Sequence, residues 1–76
     1  MTARETALDA IRANYEVDDP AAALDAHGDS FSRVCLIVDL EDAFGVDIPD
    51  AVGFGWGTVG DVLVWAEQAV SGRPAS

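Results

Sequence analysis

The stretch HGDSFSRV, residues 27–34, sets Asp29 beside Ser30, with His27 three positions before the serine and Arg33 three positions after it. A serine so placed has three possible uses. As a nucleophile it needs a general base, and the base needs an orienting group. His27 is the only histidine, and Asp25 or Asp29 could hold it. Three residues of loop spacing constrain such a pair weakly, so catalysis is the least expected use. As plain structure, Asp29 or Ser30 suits the N-cap of a following helix, where a short side-chain oxygen accepts from a free backbone amide. The third use is as a handle to which another group is attached.

These residues sit in a chain that reads as all-α, one domain over residues 1–76. Thr2-x-x-Glu5 is a capping box. Behind it Leu8, Ile11 and Tyr15 line one face of a helix over about 3–16, with Asp9, Arg12 and Glu16 off that line. VDDPAAALDAHG and Asp29 make a loop over 17–29, in which Asp19-Pro20 can cap one short turn. From Ser30 to Phe44 no Gly or Pro interrupts, and Gly45 stops the run, giving a second helix over 30–44. Pro49 blocks continuation. AVGFGWG is too rich in glycine for a secure helix, so 50–57 is expected as a short irregular segment. Thr58-x-x-Asp61 opens a last helix over 58–71, with Val59, Val62, Leu63, Ala66 and Val70 on one apolar face. The polar tail 72–76 is expected to fray. The sum is a small bundle of three main helices with a weak short one between the second and the last.

The second helix is apolar on two sides. Leu36, Leu40, Ala43 and Phe44 form one stripe, with Ile37 at its edge, and Phe31, Val34, Cys35 and Val38 form another. In a domain of three helices only one side is expected to be covered completely. Asp39, Glu41 and Asp42 border the second stripe, which makes it a candidate docking strip: apolar contact gives affinity and the carboxylates steer a basic partner. The plain alternative is a central helix covered on both sides.

Composition narrows the functions. Fourteen acids face four arginines and no lysine, for a net charge of −10. That charge repels nucleic-acid phosphates and anionic membranes, so no nucleic acid and no membrane insertion are expected. A chain of 76 residues buries only about 60% of its unfolded surface, too little for a deep catalytic pocket. Cys35 is the only cysteine, which rules out an internal disulfide and a cysteine-built zinc site. MTARETALDA holds no apolar signal core, and no run nears the ~20 residues of a membrane span. A cytoplasmic monomer is the default expectation.

Beyond these readings, the ordered set Asp29-Ser30-Phe31, Glu41-Asp42-Ala43-Phe44 and Asp47-Ile48-Pro49-Asp50, with TVGDVLVWAEQAV after it, resembles the acyl carrier protein family. The likeness covers almost the whole chain and is densest from Gly28 to Asp50. It implies that Ser30 carries 4′-phosphopantetheine through a phosphodiester, installed from coenzyme A by a separate phosphopantetheinyl transferase, with Asp29 assisting that reaction. The arm's thiol would hold acyl intermediates as thioesters for the enzymes of a fatty-acid, polyketide or related pathway, and the domain itself would catalyse nothing. A helix start favours the phosphate through its free amides and dipole. Acyl-loading, condensing and modifying enzymes with basic docking patches would contact Phe31, Val34, Ile37 and Val38 and the acidic rim of Asp39, Glu41 and Asp42.

The chain departs from the family in several places. The connector before Ser30 is short and lacks the apolar residues that pin it to the core. GFGWG replaces the family's third helix. Trp56 stands where a smaller residue lines the arm's groove, which limits cargo. Arg33 and Cys35 occupy positions on the recognition helix that are more often acidic or polar. An aminoacyl, D-alanyl or peptidyl carrier uses the same site, and an unmodified acidic adaptor docking through the second helix is the reading from another class. The GDS string also resembles the start of a family of ester hydrolases, but the second histidine they need is missing. Gly55-x-Gly57-x-x-Gly60 lacks the strand a dinucleotide fingerprint requires.

Overall fold

The computed structural model describes residues 2–71, so the expected frayed tail lies outside the described residues. The protein is a small all-α bundle: α1 Ala3–Tyr15, α2 Ser30–Phe44, α3 Asp50–Gly53 and α4 Val59–Ser71, with a 3-10 turn at Leu24–Ala26. No β-strand occurs among the described residues; one isolated bridge pairs Ala23 with Thr58. α1 packs against both α2 and α4, and α3 packs on α2.

Local chemistry sets the ends. The Thr2 side chain accepts from the Glu5 amide while the Glu5 carboxylate accepts from the Thr2 amide, so two amides at the start of α1 are satisfied reciprocally. α1 stops where Glu16 turns left-handed, at φ 55°. α2 stops at Gly45, also left-handed at φ 65°, a conformation open to glycine without a Cβ penalty. α4 opens under Asp61, whose carboxylate accepts from the amides of Gly57 and Thr58 at 2.9 and 3.1 Å.

The core gathers one face of each long helix. Ala7, Ile11 and Tyr15 of α1 meet Leu36 and Leu40 of α2 and Val59, Val62, Leu63 and Ala66 of α4. Each large aliphatic side chain buried there contributes about 1.5–3 kcal/mol. Trp65 stands edge-on to Phe44, with ring centroids 5.5 Å apart. Three sequence expectations need correction. Ala43 is exposed rather than part of the covered stripe. Val70 is also exposed: Arg4 meets Glu67, so Val70 projects past the start of α1. And the 17–29 connector does carry an anchor, because Leu24 is fully buried.

That connector is tied down by backbone as well. Leu24 N–H donates to the Gly57 carbonyl and Val59 N–H to that of Ala22, both at 3.0 Å, and Gly60 N–H reaches the Pro20 carbonyl at 2.9 Å. Asp19 does cap a turn, its carboxylate accepting from the Ala21 amide. The loop that delivers Ser30 is therefore seated against the start of α4.

Candidate functional site

Asp29 is the N-cap of α2 and Ser30 its first residue. The Asp29 carboxylate accepts from the Ser32 amide at 3.0 Å and from the Ser32 hydroxyl at 3.3 Å. That amide bond holds the Asp29 carboxyl below the ordinary carboxylate range, so it is ionised at neutral pH. Ser30 is exposed, and its hydroxyl and amide bond to no protein group among the described residues. Its oxygen therefore stands in water at the positive end of a 15-residue helix. His27 is exposed and no hydrogen bond joins its ring to Ser30; Asp25, one of its candidate orienting acids, instead accepts from Arg33.

The approach to this serine is built by close packing. A Cβ on Gly28 would lie 2.7 and 2.8 Å from ring atoms of Tyr15 and 2.9 Å from the Ser32 Cβ. Only a hydrogen fits between the chain and the Tyr15 ring, so glycine sets how close the loop runs to α1.

Beneath the site lies a group that sequence reasoning put on the surface. Arg33 is 3% exposed. Its Nε donates to the Tyr15 hydroxyl at 3.0 Å. Its Nη1 donates to the carbonyls of Gly53 and Trp56 at 2.9 and 2.8 Å. Its Nη2 donates to the Asp25 carboxylate at 3.2 Å. One guanidinium thus joins α1, the 3-10 turn, α3 and the segment before α4. The signal was present: Arg33, Leu36, Leu40 and Phe44 share one helical face, so Arg33 belongs to the covered stripe.

The expected docking residues divide. Phe31, Val34 and Val38 are 73%, 45% and 49% exposed and share one face of α2. Cys35 beside them is half-buried. Val52 and Phe54 are also exposed, on the adjoining α3 segment. Ile37, expected as a contact, is buried instead, because α3 lies over it at Gly53. Trp56 is buried too, its ring centroid 5.5 Å from that of Trp65, so it is a core residue and offers a partner no surface. The acidic rim is uneven. Asp42 and Asp39 are exposed, Asp39 also accepting from Asn14 of α1 at 2.7 Å, whereas half-buried Glu41 accepts from the Ile48 amide at 2.8 Å.

Among the described residues no cluster of His, Cys, Asp or Glu is placed to hold a metal ion, and no helix is long and apolar enough to cross a membrane. No protein-family model matches the chain, and no solved structure matches it.

Proposed function

We propose that the chain is an acyl carrier: Ser30 bears 4′-phosphopantetheine, and enzymes that load, condense or modify the cargo dock on α2. The single observation that supports this most is the Ser30 hydroxyl, exposed and unbonded at the first position of a long helix. Residues around it fit a phosphodiester. The helix dipole favours an anion there, and the Ser30 amide has no competing acceptor among the described residues. Asp29 has already taken the Ser32 amide, so the phosphate relies on the dipole, the Ser30 amide and solvent.

Attachment proceeds by attack of the Ser30 oxygen on the β-phosphorus of coenzyme A. The P–O bond to 3′,5′-ADP breaks, and the serine proton leaves to a base of the transferase. When bound, the arm supplies the thiol that holds cargo as a thioester. The protein's own part is presentation. Asp29 fixes the helix start, Gly28 and Tyr15 fix the entry of the loop, and Phe31, Val34 and Val38 offer apolar contact to a partner whose basic groups answer the net charge of −10.

The highly exposed Phe31 also suits an unmodified adaptor that docks through α2. Intact mass separates the two readings. After incubation with coenzyme A and a promiscuous transferase, wild type gains one phosphopantetheine and Ser30→Ala gains none. No gain on the wild type sinks the carrier reading and favours the adaptor; a gain on both moves the attachment elsewhere.

A further inference from the structure

Arg33, Ile37 and Glu41 follow one another at i, i+4 and i+8 along one edge of α2, and all three hold the same segment, residues 46–57. Glu41 takes the Ile48 amide at one end of that segment. Ile37 packs on Gly53 in the middle, where a Cβ would lie 2.6 Å from its Cγ1. Arg33 takes the carbonyls of Gly53 and Trp56 at the other end. We propose that residues 46–57 form a strap that opens as one unit from an otherwise intact bundle, with Arg33 as its latch. This rests on packing and hydrogen bonding alone and stands whatever Ser30 carries.

Hinges bound the segment. At one end Gly45 is left-handed, where the chain turns freely. At the other, Gly57 is the fixed end about which the strap turns: its amide donates to the Asp61 carboxylate and its carbonyl accepts from Leu24. Between them few apolar residues hold the strap: Ile48 and Trp56 lie in the core and Val46 packs against it. Asp47, Pro49, Asp50, Ala51, Val52, Phe54 and Gly55 are exposed, leaving Ile48, Gly53 and Trp56 as its buried residues. A segment held by few apolar contacts opens below the free energy of global unfolding.

The latch is built to let go. When the strap leaves, Arg33 keeps the Tyr15 hydroxyl and Asp25, and the two freed carbonyls pass to water. Its one charged partner, Asp25, has a side chain 94% exposed, so the cation is poorly neutralised while buried. Opening returns hydration to that charge, which offsets part of the lost hydrogen bonding. The floor uncovered is Ile37 with the guanidinium beside it, next to the exposed Val34 and Val38.

Amide hydrogen exchange followed by NMR on the full chain tests the proposal. The reporters are Ile48, Gly53 and Phe54 in the strap, and Ile11 and Leu63 in the bundle. Arg33→Lys keeps the charge but cannot span both carbonyls and the tyrosine. It is expected to speed the strap amides by about tenfold to a hundredfold, the weight of hydrogen bonds to a charged group, with Ile48, Gly53 and Phe54 sharing one free energy of opening that lies below that of Ile11 and Leu63, which report global unfolding. Because the unit is cooperative, Ile48 speeds with Gly53 although Arg33 does not touch it. If Arg33→Lys does not fold, Glu41→Ala carries the same test from the other end and must speed Phe54 as well as Ile48. Strap amides that open with the same free energy as Ile11 and Leu63, or a response confined to the amide nearest the substitution, overturns the strap; so does no rise at all.

Discussion

Gly28→Ala tests the loop geometry that places Ser30. The backbone there is not left-handed, so alanine meets no conformational barrier, and the loss of unfolded-state freedom would stabilise the fold by about 0.4–1 kcal/mol. Against this stands the added methyl, whose carbon would fall 2.7 Å from Tyr15 Cε2, 2.8 Å from Cδ2 and 2.9 Å from Ser32 Cβ. Two of those atoms belong to a ring that is itself buried and held through its hydroxyl by Arg33, so the ring cannot simply swing away. Overpacking of this kind costs about 1–3 kcal/mol. The steric effect wins, for a net loss of about 1–2 kcal/mol.

Urea unfolding followed by helical circular dichroism reads this as a lower midpoint at unchanged slope. In a domain of this size the thermal midpoint falls by about 4–8 °C per kcal/mol. The cause is isolated by repeating the substitution in two backgrounds. Tyr15→Phe keeps the ring, so the penalty of Gly28→Ala persists. Tyr15→Leu removes the clashing Cε2, so the penalty shrinks by more than about 0.5 kcal/mol, beyond ordinary additivity error. A Gly28→Ala protein as stable as wild type, or a penalty identical in all three backgrounds, refutes the packing argument and with it the account of how Ser30 is delivered.

Leu24→Ala deletes the fully buried anchor of the 17–29 connector and should cost about 2–5 kcal/mol in urea unfolding, whereas a connector without an anchor would lose almost nothing. Phe31→Ala, at a side chain 73% exposed, should shift stability by no more than about 0.5 kcal/mol and, on the carrier proposal, slow the enzymes proposed to dock on α2; a large drop in midpoint would place Phe31 in the fold instead. The helix-capping carboxylates of Asp29 and Asp61 are both held below the ordinary range, chiefly by backbone amides of Ser32 and Gly57 respectively. A depressed carboxyl stabilises the fold above its unfolded pKa, and that contribution is lost as pH falls from the ordinary carboxylate range through the lower folded value. Thermal midpoints should therefore drop on acidification in that window, and Asp61→Asn should drop less than wild type; parallel curves would show that the cap does not titrate with folding.

Much of the fold was legible because its signals are local. The two capping boxes, the run free of Gly and Pro from Ser30 to Phe44, and Gly45 and Pro49 after it are set by residues a turn apart, and α2 spans Ser30–Phe44 in the structure. The all-α class follows from them. Asp29 and Ser30 were legible as cap and exposed hydroxyl for the same reason. What sequence could not supply was which flank of a two-sided helix a short segment would cover. The family resemblance makes Ile37 a partner contact and sets Trp56 in the arm's groove, yet Gly53 lets the backbone press onto Ile37, and Trp56 turns inward against Trp65.

Arg33 is the instructive failure. The family resemblance sets Arg33 on the recognition helix that partners read, whereas periodicity sets it on the core stripe. Periodicity was right because a guanidinium needs acceptors rather than water, and three come from groups with no sequence signature: two main-chain carbonyls and a tyrosine hydroxyl brought from 18 to 23 residues away. A buried arginine on a core stripe therefore carries information of its own. It marks where a helix ends or irregular backbone lies, since those stretches leave carbonyls free to accept, and here they are the end of α3 and the stretch before α4. The short segment that looked too weak to fold is held at its far end from α2 by that one side chain, which is why its stability should depend on residue 33 as well as on the Ile48 and Trp56 it buries itself.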